Sequence, residues 1–236
     1  CMAAGVRPPW SLVRARGILG HIPRFRSTKW AHTVLLLLCL LSAPLTSWAM
    51  PARPYRAAKA AGKAVGALAS GGGSGSQVGW MPSRIDHFSA DPRTYQQRFF
   101  LNATFYKPGA PVFLCIGGEG PGLTEDVVVT GGLHCALMVH LAEQHSALIV
   151  ALEHRYYGLS QPFSDLSTPN LRFLSSRQAL QDIALFHEHI TALVALPSDT
   201  KWITFGGSYP GMLAAWARSK FGHLFHAAVS SSSPVE

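Results

Sequence analysis

Phe205-Gly206-Gly207-Ser208-Tyr209-Pro210-Gly211 reads as the end of a strand, a sharp turn carrying one serine, and the start of a helix. Trp202-Ile203-Thr204-Phe205 before it is apolar and β-favouring, and the run from Met212 to about Lys220 is rich in Ala, Leu and Trp with its bases at the far end. A serine at such a junction has its hydroxyl thrown clear of the backbone, and the helix start behind it offers unpaired N–H groups to a developing oxyanion. That is the geometry of an acyl-transfer nucleophile. The competing reading is a tight glycine turn with serine as an incidental helix cap. Glycines on both sides favour the nucleophile, because they make room for a sharp turn packed against neighbouring strands. Proline stands where the strict G-x-S-x-G pattern has its second glycine, and it suits a first helical turn because its missing N–H has no intrahelical partner there.

Outward from this turn, buried strands alternate with helices. Pro111–Ile116 and Ala147–Leu152 are unbroken apolar strands, ending in Gly117-Gly118-Glu119-Gly120 and in Glu153-His154-Arg155-Tyr156-Tyr157-Gly158. Leu133–Gln144 reads as a helix with Leu133, Leu137 and Leu141 on one face, and Ser176 to about Leu193 as a longer one with Leu180, Ile183, Ala184, His187 and Ile190 at helical spacing. Ala227–Ser230 is a further strand. Tyr95–Tyr106 alternates loosely and suits a hairpin or edge pair closing at Lys107-Pro108-Gly109. The alternation predicts a parallel α/β sheet covered on both faces, with its functional groups beyond the C-terminal strand ends. The Gly117 loop, the Glu153 loop and Ser208 all fall there.

An oxyanion hole would draw on the Tyr209 backbone N–H and on one from the Gly117–Gly120 loop, Gly118 being the candidate. That loop lacks the lysine and Ser/Thr of a phosphate-binding loop, and no G-x-G-x-x-G runs into a helix, so no cofactor is expected. Nor is a metal: His187 and His189 are two apart on a helix and face different ways, and His140 belongs to no H-E-x-x-H. Glu153-His154-Arg155 reads as scaffolding beside the site, with a salt-bridge set of its own.

The net charge of +8 divides unevenly. Residues 1–80 hold ten Lys or Arg and no acid, whereas 81–236 hold ten bases and twelve acids. The basic pI belongs to the leader, so no nucleic-acid surface is implied. Val34–Leu41 has the length of a signal-peptide core, with Arg24, Arg26 and Lys29 before it and Ser47-Trp48-Ala49 after it, so residues 1–49 read as a signal peptide with an over-long basic n-region. The run is too short to span a bilayer. Residues 50–79 read as low-complexity linker or propeptide, and 80–236 as the folded domain. In a secretory context Asn102-Ala103-Thr104 is a glycosylation acceptor. Cys115 and Cys135 either form a disulfide or remain two buried thiols.

Only 28 residues follow Ser208, with His223, His226 and Glu236 as their titratable candidates. A general base must come within about 3 Å, and His223 lies roughly 20 Å along the helix. Neither triad partner is expected among them.

Four motifs resemble the lysosomal Pro-X carboxypeptidase and dipeptidyl peptidase II family of serine peptidases: Gly117–Gly120, Leu152–Gly158, Leu171–Leu180 and Phe205–Gly211. The resemblance covers about residues 80–236, the N-terminal part of a family chain roughly twice this length. It implies an α/β-hydrolase fold whose mostly parallel sheet is truncated before a helical cap domain and the last strands. It further implies a secreted or endosomal–lysosomal glycoprotein, a peptide as substrate, proline before the cleaved bond in characterised relatives, and Ser208 as nucleophile. The Asp and His partners would lie in the later half, so this chain alone is expected to be inactive. Whether a full-length form pairs as a homodimer is left open. The other readings are an α/β-hydrolase esterase and a non-catalytic short product acting as a binder. A sheet stopping near Val229 exposes an apolar edge, so residues 81–236 alone are expected to aggregate, and a soluble, cooperatively melting monomer would overturn that.

Overall fold

The computed structural model describes residues 75–132 and 135–235. The expected signal peptide and most of the expected linker lie outside the described residues. Strand β1 (Ser76–Arg84) pairs antiparallel with β2 (Thr94–Asn102), Ser76 opposite Asn102 and Arg84 opposite Thr94. This corrects two expectations. Ser76–Gly79 belong to the sheet rather than to the linker, and the hairpin partner of β2 is β1, which lies before it in the chain. Pro82 hides the signal for β1, since proline is tolerated in a sheet chiefly on an edge strand. The Lys107-Pro108-Gly109 turn, closed by a bond from Ala110 N to Lys107 O (3.0 Å), closes no hairpin. It leads from β2 into β3 (Val112–Ile116), and β4 (Leu148–Leu152) lies between those two strands.

The sheet runs β1-β2-β4-β3-β5-β6, with β5 at Trp202–Gly207 and β6 at Ala227–Ser231. β2 meets β4 antiparallel, and the β4/β3, β3/β5 and β5/β6 pairs are parallel. The helices are α1 (Asp126–Val129), α2 (Ala136–His145), α3 (Thr168–Leu171), α4 (Ser176–Val194) and α5 (Tyr209–Lys220). Strand order, direction and helical layers make this an α/β-hydrolase-like sheet.

Alternation along the central strands divides the core in two. Val112, Leu114 and Ile116 of β3 join Leu148, Val150 and Leu152 of β4 on one face, under Ile183, Phe186 and Ile190 of α4 and Leu213 and Ala217 of α5. Phe113, Cys115, Ile149 and Ala151 point to the other face, against Val127 and Val128 of α1 and Met138 and Ala142 of α2. Both central strands are buried along their whole length, which is why they read as unbroken apolar runs. Helix α4 starts on Ser175, whose hydroxyl accepts from Gln178 N, and stops at Ala195 in a left-handed conformation (φ 55°). Helix α2 departs from its expected packing. Met138 and Ala142, one turn apart, form its buried stripe, while Leu137 is 56% exposed; Leu133 lies outside the described residues.

Cys115 in β3 and Cys135 just before α2 are joined by a disulfide across 20 residues, tying the strand to the helix start. Among the described residues, no helix is long and apolar enough to cross a membrane.

Candidate active site

Strand β5 runs out at Gly207, and α5 begins at Tyr209. Ser208 between them has φ 57° and ψ −130°, a combination that costs an L-residue of order 1–3 kcal/mol and persists only where its surroundings impose it. Two bonds do so. Ser208 N donates to Ser231 O at the end of β6 (2.9 Å), and Ser208 O accepts from Met212 N in the first turn of α5 (3.1 Å). The residue itself is exposed.

Glycine is required at 206 for steric reasons, and at 211 the fit is tight. A Cβ on Gly206 would lie 2.3 Å from Pro210 O and 2.4 Å from Pro210 C, and one on Gly211 would lie 3.0 Å from Gly206 O. The helix start folds directly back onto the strand end. Gly206→Ala is therefore expected to push the elbow apart, leaving the full-length protein destabilised by about 2 kcal/mol or more, which denaturant unfolding would measure. Unchanged stability would mean that the turn yields easily. Pro210 occupies the second helical position, as its chemistry favours.

Gly118 follows β3 and presses on the same turn. A Cβ there would sit 2.2 Å from Pro210 Cγ and 3.5 Å from Tyr209 Cδ1. Tyr209, as the first helical residue, has an N–H that the helix cannot satisfy. Ser208, Tyr209 and Gly118, the three residues expected for nucleophile and oxyanion hole, thus come together at one point. A cavity of about 410 Å³ opens beside Ser208, lined also by Ala136, Leu137, Phe205, Gly207 and Ser232. Sequence reasoning missed its wall, the exposed first turn of α2, because it sent Leu137 into the core.

The histidines that follow Ser208 lie far from it. His226 N bonds Trp202 O (2.8 Å) at the opposite end of β5, a six-residue strand about 20 Å long. His223 acts electrostatically on His187, whose ring lies 4.6 Å from that of Trp202 at the same far end. Burial first, and His223 second, push the His187 imidazole down to about 4. Glu236 lies outside the described residues, and among the described residues no group of three or more His, Cys, Asp or Glu is placed to hold a metal.

Glu153, His154 and Arg155 hold no internal salt bridge; each turns to a different element. Glu153 accepts from Arg98 Nη2 and Leu123 N with one oxygen, and from Leu159 N (3.0 Å) and Ser160 Oγ (2.7 Å) with the other. Arg155 is wholly buried and uses all five of its donors. Its Nε and Nη2 grip Asp182 of α4 at 2.7 and 2.8 Å, and the rest reach the carbonyls of Arg84, Ile85 and Phe173. Asp182 also accepts from Ser83 Oγ (2.7 Å) and lies 2.7 Å from His87 Nε2. Burial alone would raise the Asp182 carboxyl, but the Arg155 guanidinium and His87 bring it down to about 2. Sequence reasoning missed Asp182 because nothing local marks it: its partners lie up to 99 residues away.

Asn102, where the sequence suggests a glycan, is 6% exposed. Its Nδ2 donates to Val128 O and its Oδ1 accepts from Thr104 N, both at 2.9 Å. The fold turns this nitrogen inward, and a glycan on it would require the end of β2 to open.

The family model described as serine carboxypeptidase S28 matches residues 83–236. The chain belongs to that family of serine peptidases. Over 171 residues it is 46% identical to mouse thymus-specific serine protease, a match covering 71% of this chain and 32% of that one. The human protein of the same name is 45% identical over 161 residues, 67% of this chain and 30% of that one. Mouse lysosomal Pro-X carboxypeptidase is 35% identical over 161 residues, 66% and 32% of the two chains. This S28 chain thus spans about a third of the length of the curated relatives it matches. Likeness to solved structures is lower: a carboxyl esterase from Bacillus coagulans aligns at TM-score 0.43 and 10% identity, over 65% of this chain and 43% of that one.

Proposed function

We propose that this chain carries the nucleophile and oxyanion hole of a serine exopeptidase working through an acyl-enzyme. The observation that supports the reading most directly is the Ser208 elbow: an exposed serine in an unfavourable conformation, at the start of a helix, beside a glycine loop from the neighbouring strand. Ser208 Oγ would attack the scissile carbonyl carbon and give up its proton to a histidine base. The carbonyl oxygen would become an oxyanion held by the Tyr209 and Gly118 N–H groups. Collapse would then expel the amine, which takes the proton, and leave an ester on Ser208 for water to hydrolyse. The histidine and its acid partner are proposed to come from the remainder of a longer protein, since His223 and His226 sit at the wrong end of β5.

Peptide trimming next to proline is proposed as the specificity, supported by similarity to a protein named for Pro-X cleavage. A secretory-pathway or endosomal–lysosomal location is supported by the same similarity and by the Cys115–Cys135 disulfide, a bond that persists in oxidising compartments. A fluorophosphonate probe tests the chemistry. With the full-length protein, peptide mapping should find the adduct on Ser208, and an adduct on another residue would overturn the assignment.

A further inference from the structure

We propose that His154 is a positioning residue for the oxyanion hole, acting through the side chain of Tyr209. The inference rests on the reading of Ser208 as nucleophile and goes beyond it by assigning a task to the Glu153-His154-Arg155 segment. His154 Nδ1 lies 2.7 Å from Arg155 O, and a carbonyl oxygen can only accept, so Nδ1 carries the proton. The ring is buried, and burial lowers the imidazole's pKa, which favours the neutral form whose Nε2 is an acceptor. The phenol of Tyr209, 3.0 Å away, donates to it, and the phenol oxygen also lies 3.4 Å from Ser176 Oγ. The two rings meet edge-on with centroids 5.5 Å apart, and the Tyr157 ring also meets the imidazole, centroids 5.4 Å apart.

This arrangement bears on the hole because Tyr209 provides one of its donors. The peptide between Ser208 and Tyr209 is held on its carbonyl side by Met212 N on Ser208 O (3.1 Å). Anchoring the Tyr209 side chain supplies a second fixed point on the same residue. The anchor is stiff, since Arg155, whose carbonyl fixes the His154 tautomer, is clamped by Asp182 and three backbone carbonyls. The elbow is thereby tied, through the Arg155 carbonyl, to a residue whose side chain makes five hydrogen bonds. A misplacement of about 1 Å in such a donor costs on the order of 100-fold in rate, so loss of the anchor should be visible.

The test uses the full-length protein and an alkyl fluorophosphonate. In that reaction the Ser208 Oγ–P bond forms, the P–F bond breaks, fluoride leaves, the serine proton passes to the base, and the phosphoryl oxygen enters the oxyanion hole. Tyr209→Phe and His154→Leu are each expected to slow the limiting labelling rate by about 10- to 100-fold. The probe concentration giving half-maximal rate should change by less than about twofold, since ground-state binding does not use the hole. The double variant should be no slower than the slower single one, because both break the same bond. His154→Gln places an amide oxygen near the Nε2 position and should recover most of the rate. Tyr209→Phe labelled at the parent rate, or losses that multiply in the double variant, would overturn the proposal. If His154→Leu fails to fold, Tyr209→Phe and His154→Gln carry the test alone. Ser208→Ala separates the two readings: persistent labelling in it defeats the nucleophile assignment, whereas its loss alongside a fast Tyr209→Phe defeats only the role of His154.

Discussion

Ser208→Ala in the full-length protein is expected to abolish peptide hydrolysis while leaving the melting temperature essentially unchanged. Loss of a triad serine costs about 10⁶-fold in kcat, since every step after binding passes through its oxygen. Stability should hold because the side chain makes no packing contribution: the residue is exposed, and the bonds that fix it, to Ser231 O and from Met212 N, belong to the backbone. Alanine meets the same dihedral cost that serine already bears, so the turn geometry is retained. Steady-state hydrolysis of a proline-containing peptide, run beside thermal unfolding, checks both halves. Turnover within tenfold of the parent would remove Ser208 from the reaction.

Asp182→Asn is expected to be the most damaging substitution away from the site. It leaves the Arg155 guanidinium buried without a countercharge, a change that typically costs about 3–5 kcal/mol. It also weakens the attachment of the β1–β2 hairpin, which reaches Asp182 through Ser83 and His87 and reaches Arg155 through the Arg84 and Ile85 carbonyls. Denaturant unfolding should show the loss, and adding Arg155→Met should recover part of it, because two apolar groups of matching size are often no worse than the pair. The pair also sets an acid limit. The folded carboxyl titrates at about 2 against about 3.9 when unfolded, so its contribution is complete above roughly pH 4 and disappears as pH falls towards 2. Asp182→Asn should flatten that part of the stability–pH curve; an unaltered curve would assign acid sensitivity to other groups.

What the sequence made legible was whatever depends on neighbours in the chain. The Ser208 elbow, the buried central strands and α4 are written in local periodicity and turn chemistry, so their residues could be named from the sequence. β1 was not legible, because Gly79 and Pro82 weaken its strand pattern and its stability comes from pairing with β2. The buried stripe of α2 was misread for a related reason. Leu137 looks more apolar than Ala142, but the helix is oriented by its attachment at Cys135 and by its packing on β3 and β4, and those facts are tertiary. Arg155 and Asp182 lie 27 residues apart on different elements, and the direction of His154 towards Tyr209 spans 55. No local spacing encodes such pairs.

The meeting of Gly118 with Pro210 also constrains how this sequence can change over time. The proline ring fills the volume that a side chain at 118 would occupy, so the two positions, 92 residues apart in number, are not free to drift separately. With proline at 210, a Cβ at 118 would lie 2.2 Å from Pro210 Cγ and 2.6 Å from Pro210 Cδ, so glycine is the residue that fits there. A small residue at 210 would remove that contact and is expected to let 118 carry a side chain beside the proposed oxyanion hole. A substitution on the helix is therefore expected to precede any side chain on the opposite loop, the proline changing first.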